Sequence, residues 1–473
     1  MRNKYENPLT SRYASQEMSY IFSDDHKFKT FRRLWIALAK SEKALGLNIS
    51  QDQIQDLEDH IGDINYDRVA EIEKETRHDV MAHIKAYGEV APSAKGIIHL
   101  GATSCFVTDN TDLILMADGL DLILKKLKVL LKNLRDFAMD YKDLPILAYT
   151  HYQPAQPTTL GKRASLWLYD LYLDLEELSY RRKNLRLRGV KGTTGTQASF
   201  MELFEDGETV DKLEDLVLKE MGFDKAYPVT GQTYSRKVDG QILTSLASLA
   251  QSIHKMTNDL RMMQNQKEVE EPYEKGQVGS SAMAYKRNPM RSERMSSLAK
   301  YLINTSQNGV WVHATQWFER TLDDSANRRI SIGESFLAMD AILDIAINVT
   351  SGLVVHEKMI ERNLALELPF MATENILMEA VKKGGDRQEL HEHIRTHSVA
   401  AAAVVKDQGK ENDLLDRIMK DPAFGLSEEE IKTLVNPRDF IGRAPDQVER
   451  LVKEVIDPVL KDVSQDYHVD LKV

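Results

Sequence analysis

The stretch that decides the fold runs Asp109-Asn-Thr-Asp-Leu-Ile-Leu-Met-Ala-Asp-Gly-Leu-Asp-Leu-Ile-Leu-Lys-Lys-Leu-Lys-Val-Leu-Leu-Lys-Asn-Leu-Arg-Asp-Phe137. Within it Leu113, Met116, Leu120, Ile123, Leu127, Leu130, Leu134 and Phe137 recur at alternating steps of three and four. That spacing is one face of a helix, held for about seven turns, and is the seam of a bundle. Asp109-Asn110-Thr111 reads as a capping cluster in front of it, and the pattern ends before Pro145. The same period returns in Ala164–Leu185, Val238–Met263, Met295–Leu302 and Ile332–Leu353. Helices of that length pack along one another, so residues 112–364 are predicted to form a long-helix bundle domain. Residues 1–111 and 365–473 are predicted as separate helical domains, the latter broken at Gly384-Gly385, Pro422, Pro437 and Pro445. The fold class expected is all-α. Some seams are apolar over more of their circumference than one chain's bundle needs, which points to an oligomer.

Composition agrees. Only 24 glycines and 13 prolines punctuate 473 residues, which favours long helices over a turn-rich β architecture. A net charge of −11 excludes a global basic field for nucleic acid, without excluding a local basic site. The single Cys105 forbids an intrachain disulfide and a multi-cysteine zinc site, and it suits a reducing compartment. Met1–Thr10 has no apolar core, and acids arrive at Glu6 and Glu17, so no export or transit signal is expected. No window nears 18 uncharged apolar residues. A cytoplasmic protein, with no membrane and no nucleic-acid partner, is the expectation.

Chemistry should sit in the polar segments between helices. Gly279–Arg294 carries Lys286, Arg287, Arg291 and Arg294 against Glu293 alone, a local net of +3 behind the small residues Gly279-Ser280-Ser281-Ala282. The functional reading is a loop that can move and close on an anionic small molecule; a solvated surface loop is the alternative that the charges alone leave open. His151, among Thr150, Gln153 and Gln156, is a candidate general acid or base. Arg77-His78-Asp79 with His83 lacks the zincin spacing. His393 and His397 share a helical face beside His391, but an exposed charged helix is the simpler account, and no metal is expected. Gly192-Thr193-Thr194-Gly195-Thr196 lacks the Gly-Lys-Ser/Thr ending of a phosphate loop. No dinucleotide fingerprint or nucleophile elbow is present either, so the chemistry expected uses no cofactor.

Gly279-Ser-Ser-Ala-Met-Ala-Tyr-Lys-Arg-Asn-Pro289 resembles the signature loop of the aspartase/fumarase superfamily, Gly-Ser-Ser-x-Met-Pro-x-Lys-x-Asn-Pro. Thr150–Gln156 resembles its histidine segment. Ser11–Ser15, Arg77–His83, His99–Ser104, Gly189–Gln197 and Glu319–Arg329 are similar, in the same order, to the adenylosuccinate lyase branch of the type found in animals. The resemblance runs from about residue 8 to residue 460. It implies a homotetramer whose active sites combine three subunits. It also implies β-elimination of fumarate from adenylosuccinate, giving AMP, and from the succinylcarboxamide ribotide SAICAR, giving AICAR, in purine biosynthesis. By resemblance His151 is the general acid and Ser280 the base on the loop. Arg12, Tyr13, Arg77, His78, Asp79, Thr103, Ser104, Gln232, Arg294, Arg320, Ser325 and Arg329 fall at ligand positions, and Lys286 and Asn288 hold a fumarate carboxylate. Ala284 stands where the signature has proline. A proline would fix φ and lower the open loop's entropy, so slower closure is expected here. The readings set against this one are a relative acting on argininosuccinate, fumarate or aspartate, and a catalytically inactive helical scaffold.

Overall fold

The computed structural model describes residues 3–274, 276–277, 282–283, 285–463, 469 and 471. The helices that matter for the site are α1 (Asp24–Ala44), α2 (Asp79–Val90), α3 (Ser104–Asp140), α4 (Leu160–Asn184), α5 (Lys237–Asn265), α6 (Met290–Thr305), α7 (Asp324–Thr350) and α8 (Arg387–Gln408). Five of them, α3 to α7, make the predicted bundle, with α3 against α4 and α7, and α5 against α4, α6 and α7.

The centre of the bundle is α7, which is buried almost all round from Ser331 to Thr350. Its apolar circumference is covered by its own chain, so it supplies no argument for an oligomer. Among the exposed apolar side chains, Leu166, Tyr169, Leu173 and Tyr180 share one face of α4. Two features set how closely α3 and α7 approach. A Cβ on Gly119 would come within 2.6 Å of the Phe336 ring, so only glycine lets that ring lie on α3. Lys126 on α3 reaches Asp340 at 2.5 Å and Asp344 at 2.6 Å inside the bundle. A buried charge of that kind is tolerated only when paired, and it fixes the register of the two helices. Asp340 also accepts the Ser15 N–H at 2.7 Å, which ties the N-terminal segment to α7.

Asp109, Asn110 and Thr111 are not a cap. Helix α3 starts five residues earlier, with Thr103 at its N-cap, and all three side chains are buried inside it. The polarity of the first two serves tertiary bonds. Asp109 binds Arg236, while Asn110 donates to the Gly189 carbonyl and accepts its N–H.

Between α3 and α4 the chain forms a hairpin, β1 (Pro145–Thr150) with β2 (Gln153–Thr159), pairing antiparallel from Pro145↔Thr159 to Thr150↔Gln153. Its sequence predicts no strand, because three prolines and a bulge between Ile146 and Ala148 erase the alternation. Buried apolar residues from Leu9 to Ile360, joined by Val448, Val452 and Ile456, form one continuous cluster. A second cluster runs from Ala372 to Ile431 and includes the inner face of α8. Among the described residues no helix is long and apolar enough to cross a membrane.

Candidate active site

One end of the bundle opens into a cleft of about 1230 Å³. It is walled by the turn before α2, the start of α3, the Thr193-Thr194 loop, Gln232 and the start of α7. Arg77, His78, Asp79, Thr103, Ser104, Gln232, Arg320, Ser325 and Arg329, all expected at ligand positions, line it together.

Local chemistry aims these groups. Arg77 ends the preceding helix in the left-handed conformation, φ 56°, which reverses the chain into His78. The His78 ring caps α2 by accepting the Met81 N–H at Nδ1, 3.3 Å. Its neutral form therefore carries the proton on Nε2, which faces the Ser104 hydroxyl at 3.4 Å. This makes His78 a hydrogen-bond donor toward the cleft. Asp79 accepts from Arg329 at 2.5 Å and from the Val80 N–H at 2.8 Å. Burial works against its charge, but these bonds outweigh burial and hold the carboxyl below its ordinary value. His99, at φ 68°, accepts the Trp35 indole N–H at 2.9 Å and turns the chain into Thr103-Ser104.

Beneath the cleft lies a buried ionic layer that motif reasoning did not pick out. Arg236 forks onto both oxygens of Asp109 at 3.1 Å and reaches Asp324 at 2.7 Å. Arg328 reaches Asp239 at 2.7 Å, Asp112 at 2.9 Å and the Tyr234 hydroxyl at 2.6 Å, and that hydroxyl donates in turn to Asp239. Arg188 donates to the carbonyls of Gln232 and Gly192. The layer sets Arg188, Arg236 and Arg328 against Asp109, Asp112, Asp239 and Asp324; both signs line the cleft floor, and the paired network holds the start of α7, where Ser325 and Arg329 sit. Asp109, three residues before Asp112 on the same face of α3, was the one signal for it. Arg320 contacts the Cys105 sulfur and Gln232. Burial first, then the charge of Asp109, pushes the Cys105 thiol up to about 11, so it is no nucleophile at neutral pH.

The other expected site residues lie away from this cleft. His151 and Tyr152 form the tip of the hairpin with φ near 54° and 56°, both exposed. The hairpin is anchored where Gln266, just past α5, donates to the Tyr149 hydroxyl at 2.8 Å. Gln264 donates to the Arg287 carbonyl at 2.9 Å, which places Lys286 and Asn288 at the same end. Arg236 marks the opposite end of α5, and the 29 residues of that helix span about 43 Å. Arg12 and Arg294 form a third group around the Tyr13 ring, at 5.8 and 5.9 Å from its centroid. Ser280 and Ala284 lie outside the described residues.

Residues 9–302 match the family described as Lyase, and residues 369–451 match Adenylosuccinate lyase C-terminus. The adenylosuccinate lyase of Saccharomyces cerevisiae is 53% identical over 464 residues, 97% of this chain and 96% of that protein. Those of Schizosaccharomyces pombe and Schistosoma mansoni are 50% and 47% identical, each over at least 96% of both chains. The chain belongs to the adenylosuccinate lyase family. The same fold is seen in the 3-carboxy-cis,cis-muconate lactonizing enzyme of Pseudomonas putida, with a TM-score of 0.83 over 96% of this chain and 100% of that one, at 22% identity. For an adenylosuccinate lyase family member, the cleft offers groups suited to an anionic substrate: the guanidinium groups of Arg77, Arg320 and Arg329, with hydroxyl and imidazole donors between them.

Proposed function

We propose that this chain eliminates fumarate from adenylosuccinate to leave AMP, and from SAICAR to leave AICAR. The observation that carries the reading is the cleft, where Arg77, Arg320, Arg329 and the Nε2–H donor of His78 converge over a floor of paired arginines, in a chain 53% identical to a named adenylosuccinate lyase. In the reaction, a base removes the proton from the carbon next to a substrate carboxylate. The electron pair delocalises into that carboxylate, and the carbon–nitrogen bond then breaks. An acid returns a proton to the departing nitrogen. His151 serves as that acid and Ser280 as the base. A serine hydroxyl needs its alkoxide stabilised, and Lys286 on the same loop is the stabiliser, with closure excluding water. Lys286 and Asn288 hold a carboxylate of the fumarate half, while the cleft arginines take the phosphate and the remaining carboxylate.

The assembly proposed is a homotetramer with each site built from three copies. Support comes from the three separate groups of site residues, two of them at opposite ends of a helix about 43 Å long. The exposed Leu166, Tyr169, Leu173 and Tyr180 stripe on α4 is an apolar face for such packing. The division into 1–111, 112–364 and 365–473 is proposed as the domain plan, and the separate Ala372–Ile431 cluster supports its last member. A cytoplasmic location follows from the metabolic reaction and the single cysteine. A spectrophotometric assay tests the function: the purine absorbance changes as adenylosuccinate is consumed. Turnover of argininosuccinate with none of adenylosuccinate would overturn the reading.

A further inference from the structure

Far from the cleft in sequence, three ligand-type atoms converge on the outside of the C-terminal cluster. His393 and His397 are one turn apart on α8 and project from the same face. His393 Nδ1 lies 2.7 Å, and His397 Nε2 2.8 Å, from the same oxygen, Oδ2 of Asp421. The other oxygen of Asp421 accepts the Ala423 N–H at 3.0 Å and caps the short turn Pro422–Phe424, so the backbone decides which oxygen faces the rings. Both rings pack near Phe424, which is buried, at centroid distances of 6.3 and 6.5 Å. Glu389 and Glu392 on the same helix add negative potential at His393. The carboxylate and the imidazoles are therefore oriented before any ligand arrives.

We propose that His393, His397 and Asp421 bind a divalent cation of the zinc and cobalt class, which pins α8 to the turn before Pro422. Two imidazole nitrogens and one carboxylate oxygen are the donor set such ions prefer, whereas calcium and magnesium need six or more oxygens or a shell of water. Tetrahedral ligands about 2.0–2.1 Å from zinc stand roughly 3.3 Å from one another. Each histidine nitrogen, now 2.7 or 2.8 Å from Asp421 Oδ2, needs to draw back from that oxygen by only about half an ångström, a small side-chain rotation. His393 is 45% exposed, which leaves a fourth position open to water. On binding, each imidazole shifts its proton to the other ring nitrogen and turns a lone pair to the ion. The role is structural: the ion replaces two hydrogen bonds with three bonds that join α8 to a turn 24 residues beyond His397.

The test uses the untagged full-length protein, stripped with a chelator and titrated with cobalt(II), then with zinc(II) as competitor. One ion per chain is expected, with the visible spectrum of bound cobalt and a rise in melting temperature. His393→Ala and Asp421→Ala are each expected to weaken binding about ten-fold or more. His397→Gln keeps a hydrogen-bond donor for Asp421, and so the fold, yet loses the imidazole ligand and is expected to weaken binding equally. His391→Ala, two residues away and on another face of α8, leaves binding unchanged. Turnover of adenylosuccinate is the same in all four variants. Cobalt or zinc binding that survives in His397→Gln, or its absence in the wild-type protein, overturns the proposal.

Discussion

Mixing two inactive variants should restore activity. His151→Ala removes the proposed acid at the hairpin tip, and Arg329→Ala removes a cleft cation at the start of α7. Each is expected to abolish turnover alone. In one chain these residues sit at opposite ends of the bundle, along an α5 of 29 residues or about 43 Å, far beyond the reach of one substrate. A working site must then take its cleft from one copy and its His151 from another. In a random one-to-one mixture the chance of an intact cleft is one half, and of an intact donated histidine one half. The hybrid should recover about a quarter of wild-type turnover, with no new contact formed. Co-expression with two different tags isolates mixed oligomers, and the loss of adenylosuccinate absorbance reads the rate. Verified hybrids that remain at the baseline of either parent would mean that both residues serve one site within one chain, and the reasoning from helix length would fail.

Three further outcomes concern Glu42, Asp109 and His78. Glu42 is fully buried with no hydrogen-bond partner for either oxygen, and burial pushes its pKa from 4.5 to about 9. The folded state thus holds a proton that the unfolded chain releases above pH 4.5, so stability is full below that pH and falls by about 1.4 kcal/mol per unit as pH rises toward 9. Thermal melts from pH 5 to 8 should show this decline in the wild type and a flatter profile in Glu42→Gln; parallel profiles would refute it. Asp109→Ala leaves the buried Arg236 with Asp324 alone, and should cost about 3–5 kcal/mol in chemical denaturation. A loss below about 1 kcal/mol would show that the layer is not what holds the cleft floor. His78→Asn keeps an N-cap for α2 but loses the Nε2–H donor, so it should raise KM with little change in melting temperature, while His78→Ala also loses about 1 kcal/mol of stability. Equal effects of the two on stability would refute the capping role.

The helical period was legible from one dimension because burying a stripe every 3.6 residues requires no knowledge of the partner. All five predicted bundle helices are present, and the cleft groups expected from the quoted motifs gather at one end. What escaped was every feature whose meaning depends on a distant residue. Asp109 looked like a cap because short polar side chains favour helix starts, yet here the side chain answers Arg236, 127 positions away. The hairpin was hidden because its prolines break the alternation that marks a strand. Whether an apolar seam faces its own chain or another copy depends on packing too: α7 is covered by its own chain's helices, whereas Leu166, Tyr169, Leu173 and Tyr180 on α4 are left exposed.

Chain order alone carried the long helices, the polar segments whose residues gather in the cleft and the pair of histidines on one turn of α8. Those depend on spacing and residue type, which are local. Folding was needed to show that Asp421 meets those histidines, that a buried layer of arginines and aspartates backs the cleft, and that the His151 hairpin and the cleft lie toward opposite ends of a helix about 43 Å long. Distances between residues far apart in the chain are set by how helices pack, and no local pattern encodes them.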